Sequence, residues 1–186
     1  MKTDERAWRN GADGEEAVAA RLAKLGGRWK VLHAIPVGEN GSDIDHVVIG
    51  PAGVFTINTK HHPKASIWVA GDTFMVNGQR VPYIRNSRFE ALRAAKLLQA
   101  AAGGTPVAVT GLIAVMSPVK SFRVRSQPSD GRVVVVTRRE VARWLVRQPV
   151  TLEDEQVEAI YVVGRRSTTW RTTARPCPTS RRSAGR

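Results

Sequence analysis

Apolar residues recur along this chain first at a helical spacing and then at a strand spacing. Val18, Leu22 and Leu25 form one stripe of a helix over residues 14–25, which Asp13 can cap and Gly26-Gly27 can end. "RWKVLHAIPV" then reads as a strand and "GENGS" as a turn. "DIDHVVIG", "GVFTINTK", "SIWVAG" and "TFMVNGQRV" read as short strands joined by turn residues. The "PAG" between the first two is tight, which predicts an antiparallel hairpin of residues 44–49 and 53–60. "NSRFEALRAAKLLQAA" predicts a second helix, capped by Asn86 or Ser87 and stopped at Gly103-Gly104. "VAVTGLIAVMS" is almost wholly apolar, as a strand buried on both faces must be, and "RVVVV" is a further strand. "TRREVARWLVRQ" predicts a basic amphipathic helix with Val141, Trp144 and Leu145 turned inward. "TLEDEQVEAIYVVGRR" predicts a last helix, with Thr151 as its cap and acids in its first turn. This order predicts an α/β or α+β domain over residues 1–166, a mixed central β-sheet flanked by helices.

From about Ser167 the chain turns to "STTWRTTARPCPTSRRSAGR", which is nearly free of aliphatic residues and is expected to be a disordered basic tail over 167–186. Trp170 offers an alternative: if it docks on the domain, the boundary moves to about Arg171. Charge changes the picture only in part. The 186 residues hold 29 Lys plus Arg against 16 Asp plus Glu, a net charge of +13. That balance favours a polyanionic partner, nucleic acid before membrane. Seven of the arginines lie in residues 165–186 with no acid, so the preceding residues carry only +6. The single Cys177 lies between two prolines and excludes an internal disulfide framework. The opening residues lack an apolar h-region, so a soluble, cytoplasmic protein is expected.

Strand alternation singles out the residues that can meet. Asp43, Asp45, Val47 and Ile49 are expected on one face, and Val54, Thr56, Asn58 and Lys60 on one face of the next strand. If these faces coincide, an acid, an amide and an amine converge, and Glu15 can join them from the first helix. Such a set suits phosphodiester cleavage. Mg²⁺ held by one or two carboxylates neutralises developing charge and activates a water, and a lysine orients that water or a phosphate oxygen. His46, His61 and His62 match no closed zinc site.

"GEEAVAARL", then "DIDHVVIGPAGVFTINTK", then "YIRNSRFEALRAAKLL" resemble the nuclease-related domain (NERD) family, over roughly residues 8–115. That family is grouped with the PD-(D/E)XK, restriction-endonuclease-like fold. The resemblance implies Asp45 as the metal-binding acid, Lys60 as the catalytic lysine and Glu15 as the helical acid, with Mg²⁺ or Mn²⁺ as cofactor. It places Asn58 where the family carries a second strand acid, so the metal set expected is Asp45, Asn58 and Glu15. An amide oxygen still ligates Mg²⁺, but one formal charge is gone. A unit charge pair at about 4 Å and an effective dielectric of ~20 is worth on the order of 4 kcal/mol before desolvation. Even half of that weakens the metal more than tenfold.

Three functions remain open on the sequence. The first is a metal-dependent nuclease acting on DNA, or less readily RNA. The second is a non-catalytic nucleic-acid-binding module in which Asn58 has reduced the metal site. The third is an interaction protein with a solubilising tail. Arg138, Arg139, Arg143 and Arg147 are the candidate nucleic-acid contacts, against the plain alternative of a solvated helix face.

Overall fold

The computed structural model describes residues 14–37, 42–116 and 119–171. α1 is helical over residues 14–22. It is followed by β1 (Lys30–Val37), β2 (Ser42–Gly50), β3 (Gly53–Lys60), β4 (Ser66–Ala70), β5 (Thr73–Val76), β6 (Gln79–Val81) and α2 (Tyr83–Ala101). Then come β7 (Val109–Val115), β8 (Ser121–Ser126), β9 (Val133–Thr137), α3 (Val141–Val146) and α4 (Asp154–Gly164), with a 3₁₀ turn at Ser167–Trp170.

Two mixed sheets result. The larger has the order β1-β2-β3-β7-β9, and the smaller β6-β5-β4-β8. β1, β2 and β3 form an antiparallel meander, with Val47 opposite Thr56 and Gly50 opposite Gly53 at the hairpin turn. β7 runs parallel to both β3 and β9 and is buried from Gly111 onward, as its unbroken apolar run requires. One face of the large sheet takes α1 and α3, through Val18, Leu22, Val141 and Leu145 on Val48, Phe55 and Ile57. The other takes α2 and α4, through Ala94, Leu98, Val157 and Ile160 on Val47, Ile49 and Val54. The start of α2 and the small sheet share a third core, built on Ile84, Ile67, Val69, Phe74, Ile113 and Val115.

Several local expectations are corrected. α2 begins at Tyr83 after Pro82, so Asn86 and Ser87 lie inside the helix and do not cap it. Pro82 lacks an N–H and presets φ, which starts a helix without a side-chain cap. α4 begins after Glu153, whose N–H donates to Gln156 Oε1 at 2.9 Å. Thr151 is engaged elsewhere, because its N–H and that of Leu152 both donate to the carbonyl of Pro51 at the β2–β3 turn. α3 spans only Val141–Val146. Glu140 accepts from the N–H and hydroxyl of Thr137, the last residue of β9, so Arg138 and Arg139 lie in a turn and not on a helix face. "TFMVNGQRV" is two strands around a turn at Asn77 (φ 50°) and Gly78 (φ 81°). β8 carries no clear apolar signal, since only Phe122 and Val124 are half-buried on this edge strand.

Trp170 docks. It is buried, with Nε1 donating to the Gly164 carbonyl at 2.7 Å, so residues 167–170 belong to the folded body. The remaining tail, residues 172–186, lies outside the described residues, as do Asp13 and most of "GENGS".

α2 presses directly on β7. A Cβ at Gly111 would collide with the Ser87 side chain and lie 3.0 Å from the Ser87 carbonyl oxygen, which is backbone and cannot swing away. Gly111→Ala is therefore expected to destabilise the fold by about 1–3 kcal/mol, read as a lower urea midpoint at unchanged slope. An unchanged midpoint would show that α2 is not seated this tightly.

Candidate functional site

The β2–β3 ladder ends at His46 opposite Ile57. One step beyond, Asp45 Oδ2 accepts the Thr59 N–H at 2.6 Å and the Thr59 hydroxyl at 2.7 Å. The carboxylate thus fills the open end of the ladder. β1 is irregular at the same level: its pairing passes from His33–His46 to Ile35–Ile44, and Ala34 between them has φ 49°. Strict alternation fails here. Ile44, expected opposite Val47, joins Val47 and Ile49 in the same core. The expected common face of Asp43, Asp45, Val47 and Ile49 therefore holds only for the last two, because the β1–β2 pairing is irregular where the acids lie.

Asn58 and Lys60 behave as the alternation predicts. Lys60 Nζ donates to Asn58 Oδ1. The other end of the same amide, Nδ2, donates to Glu90 Oε2 at 3.3 Å. Glu90 comes from α2, one residue before the buried Ala91. One amide therefore joins a cation and an acid from opposite sides. A carboxylate at position 58 would instead face Glu90 with like charge.

Asn58, Lys60 and Glu90 line a cavity of about 450 Å³ together with Asp43, Tyr83 and Ser87. Glu90 Oε1 is buried; the Thr56 hydroxyl lies close enough to favour the carboxylate form, yet Oε1 and that hydroxyl complete no hydrogen bond of good geometry. Ser87 is buried, and its hydroxyl has no hydrogen-bond partner. Phe89, 63% exposed, and Arg93 stand at the rim.

The electrostatics follow from this crowding. Burial pushes the Lys60 ammonium below its ordinary value, opposed by Asp45, Glu90 and Glu15. Its Nζ lies 5.1 Å from the centre of the Tyr83 ring, a face that favours a cation. Burial raises Glu90 to about 7; the Asn58 hydrogen bond works against this and the Asp45 charge with it. Glu15 is raised by burial, then by Asp45 and Asp43, and is lowered by Lys60. Asp45 thus acts on both Glu90 and Glu15, and Lys60 is the cation that all three acids share.

The corner therefore gathers Asp45, Asn58 and Lys60, with Glu15 within electrostatic reach. The four arginines are elsewhere. Arg143 and Arg147 line a separate cavity beside Trp144, and α3 lies on the sheet face opposite α2. Arg143 lies 3.7 Å from Glu140, and Arg138 is half-buried. His46 is buried against His33, their Nδ1 atoms 2.9 Å apart, and burial lowers it to about 4. His62 bonds the Tyr83 hydroxyl at 2.9 Å. Sequence reading missed Glu90. Its signal was an acid set three residues after Ser87 and four before Ala94, on the buried stripe of an otherwise apolar helix face.

The nuclease-related domain matches this chain over residues 10–116, more than half its length and the whole of the corner described. The chain belongs to the NERD family. The PD-(D/E)XK nuclease-like fold is the known setting of that family, and the mixed sheet flanked by helices accords with it. No curated protein and no solved structure matches the chain. Within NERD, the position expected to hold the second strand acid is here the bridging Asn58.

Glu90 also gives the fold a pH signature. Its folded-state value, about 7, lies above the ordinary 4.5. Its contribution is therefore fully present below pH 4.5 and is lost as pH rises through about 7, a loss on the order of 3 kcal/mol by pH 8. Glu90→Gln in metal-free buffer is expected to match wild type near pH 4.5 and to exceed it in urea unfolding at pH 8. Parallel pH profiles for the two proteins would refute this burial.

Proposed function

We propose that this NERD chain is a divalent-metal-dependent nuclease that hydrolyses phosphodiester bonds in DNA, or less readily RNA. The observation that carries the reading is Lys60, a half-buried lysine at a strand end, held by Asn58 on the wall of an open cavity and within reach of the Asp45 charge. An ordinary surface lysine would point to water. This one sits among acids, where it can face a reacting group.

Among the described residues, no three His, Cys, Asp or Glu side chains form a closed ligand group. Mg²⁺ does not require one, since it keeps several waters and takes one or two carboxylates with substrate phosphate. Asp45 and Asn58 are hard oxygen donors of the right kind, with Glu15 as a further acid nearby. When bound, Mg²⁺ or Mn²⁺ would lower the pKa of a water and neutralise charge on the phosphate. Asp45, pinned by Thr59, supplies a rigid carboxylate. Asn58 keeps Lys60 directed along the cavity wall. Lys60, its proton loosened by burial, orients or deprotonates the attacking water and holds a phosphate oxygen. Arg93 borders this cavity, and Arg85 and Lys96 are exposed on the same helix, where their charge favours a polyanion.

Wild type is expected to nick supercoiled plasmid with Mg²⁺ or Mn²⁺ and to stop on chelation. Lys60→Ala should lose about 100-fold or more in rate. Activity that survives Lys60→Ala contradicts the assignment. No nicking, with binding that weakens steeply with salt, would favour the non-catalytic binding module instead.

A further inference from the structure

Glu90 has no part in the reading above, yet it is the acid that lies against the residue where an acid is missing. We propose that Glu90 supplies, from α2, the second metal-binding carboxylate of this site, with Asn58 as the bridge that positions it beside Asp45. The proposal rests on the nuclease reading and names a ligand that reading lacks.

Three geometric facts carry it. Glu90 Oε2 accepts from Asn58 Nδ2 at 3.3 Å, so the carboxylate reaches the level of the strand residue from the opposite wall of the cavity. Its second oxygen, Oε1, is buried, with only the nearby Thr56 hydroxyl to favour its charge and no hydrogen bond of good geometry. A buried carboxylate oxygen left in this state costs free energy, which a ligand at that point would recover. Ser87, one helical turn earlier and only 4% exposed, lines the same cavity with its hydroxyl unpartnered. A buried carboxylate and an unpartnered hydroxyl on one wall of one cavity mark a place for a hard cation or its water.

Position 58 is intelligible in the same terms. Asn58 offers Nδ2 to Glu90 and Oδ1 to Lys60. An Asp there would offer only acceptors, and would repel an acid arriving from α2. Strand acid and helix acid are thus alternatives for one charge. The plain competitor is that Glu90 merely holds Asn58 in place.

Calorimetric titration with Mn²⁺, without nucleic acid, separates the two. Wild type binds, and Asp45→Asn does not. Glu90→Gln, which keeps the shape and the contact with Asn58, is expected to weaken Mn²⁺ about tenfold or more. The double variant Asn58→Asp with Glu90→Gln returns the carboxylate to the strand and is expected to regain most of the affinity. Circular dichroism melts check that each variant is folded. Glu90→Gln binding Mn²⁺ like wild type, while Asp45→Asn has lost it, overturns this inference and leaves the nuclease reading standing. A folded double variant that regains nothing also overturns it. Failure of wild type to bind Mn²⁺ at all removes both.

Discussion

A lysine and a glutamate brought into one corner of a protein lose the water that made their charges cheap, and each needs a polar partner in its place. In this chain that partner is the Asn58 amide, which accepts from Lys60 and donates to Glu90. An amide offers a donor and an acceptor in one rigid plane, so it satisfies a cation on one side and an acid on the other. The rest of the corner is arranged around this requirement. β3 carries Asn58 and Lys60 two residues apart on one face. α2 is pressed so close to β7 that Gly111 is needed beneath Ser87, and that closeness brings Glu90 into range. Thr59 fixes Asp45 at the end of the ladder, so that burial first and the Asp45 charge after it raise both Glu90 and Glu15.

Much of this was legible from local pattern, because alternation and turn chemistry are local. The hairpin through Pro51-Ala52-Gly53, the buried β7 and the placement of Asn58 with Lys60 all follow from period and turn residues. What failed to show were the places where a neighbour decides. Asp45 departs from its expected face because the ladder ends at His46 and β1 is irregular at Ala34, and nothing in "DIDHVV" reports on either. β8 is an edge strand with two half-buried apolar residues, which is too little to stand out. α3 is shortened by a side-chain contact between Thr137 and Glu140. Glu90 lies 32 residues from Asn58 and was visible only as a polar residue in an apolar stripe.

Membership of the NERD family places these residues in a nuclease-like setting, and the departure at position 58 takes its meaning from the structure. Taken alone, an amide in place of an acid reads as loss of charge. With Glu90 as the proposed second ligand, that charge moves from strand to helix. The residues that hold the corner and the residues proposed to act are then largely the same ones. A fold that buries Glu90 and Lys60 gives up some stability to keep them there, and such strained ionisable groups mark sites of chemistry more often than sites of packing. The arginines around α3 belong to a different surface, on the other side of the sheet, and have no bearing on the corner.

The central claim is that a hard divalent cation is held between Asp45 and Glu90. Anomalous diffraction from crystals of the full chain soaked in Mn²⁺ tests it most directly. The account predicts one strong peak within coordination distance of an Asp45 oxygen and of Glu90 Oε1, on the cavity side of Asn58. A peak held elsewhere, or none at this corner in a well-occupied soak, would contradict it.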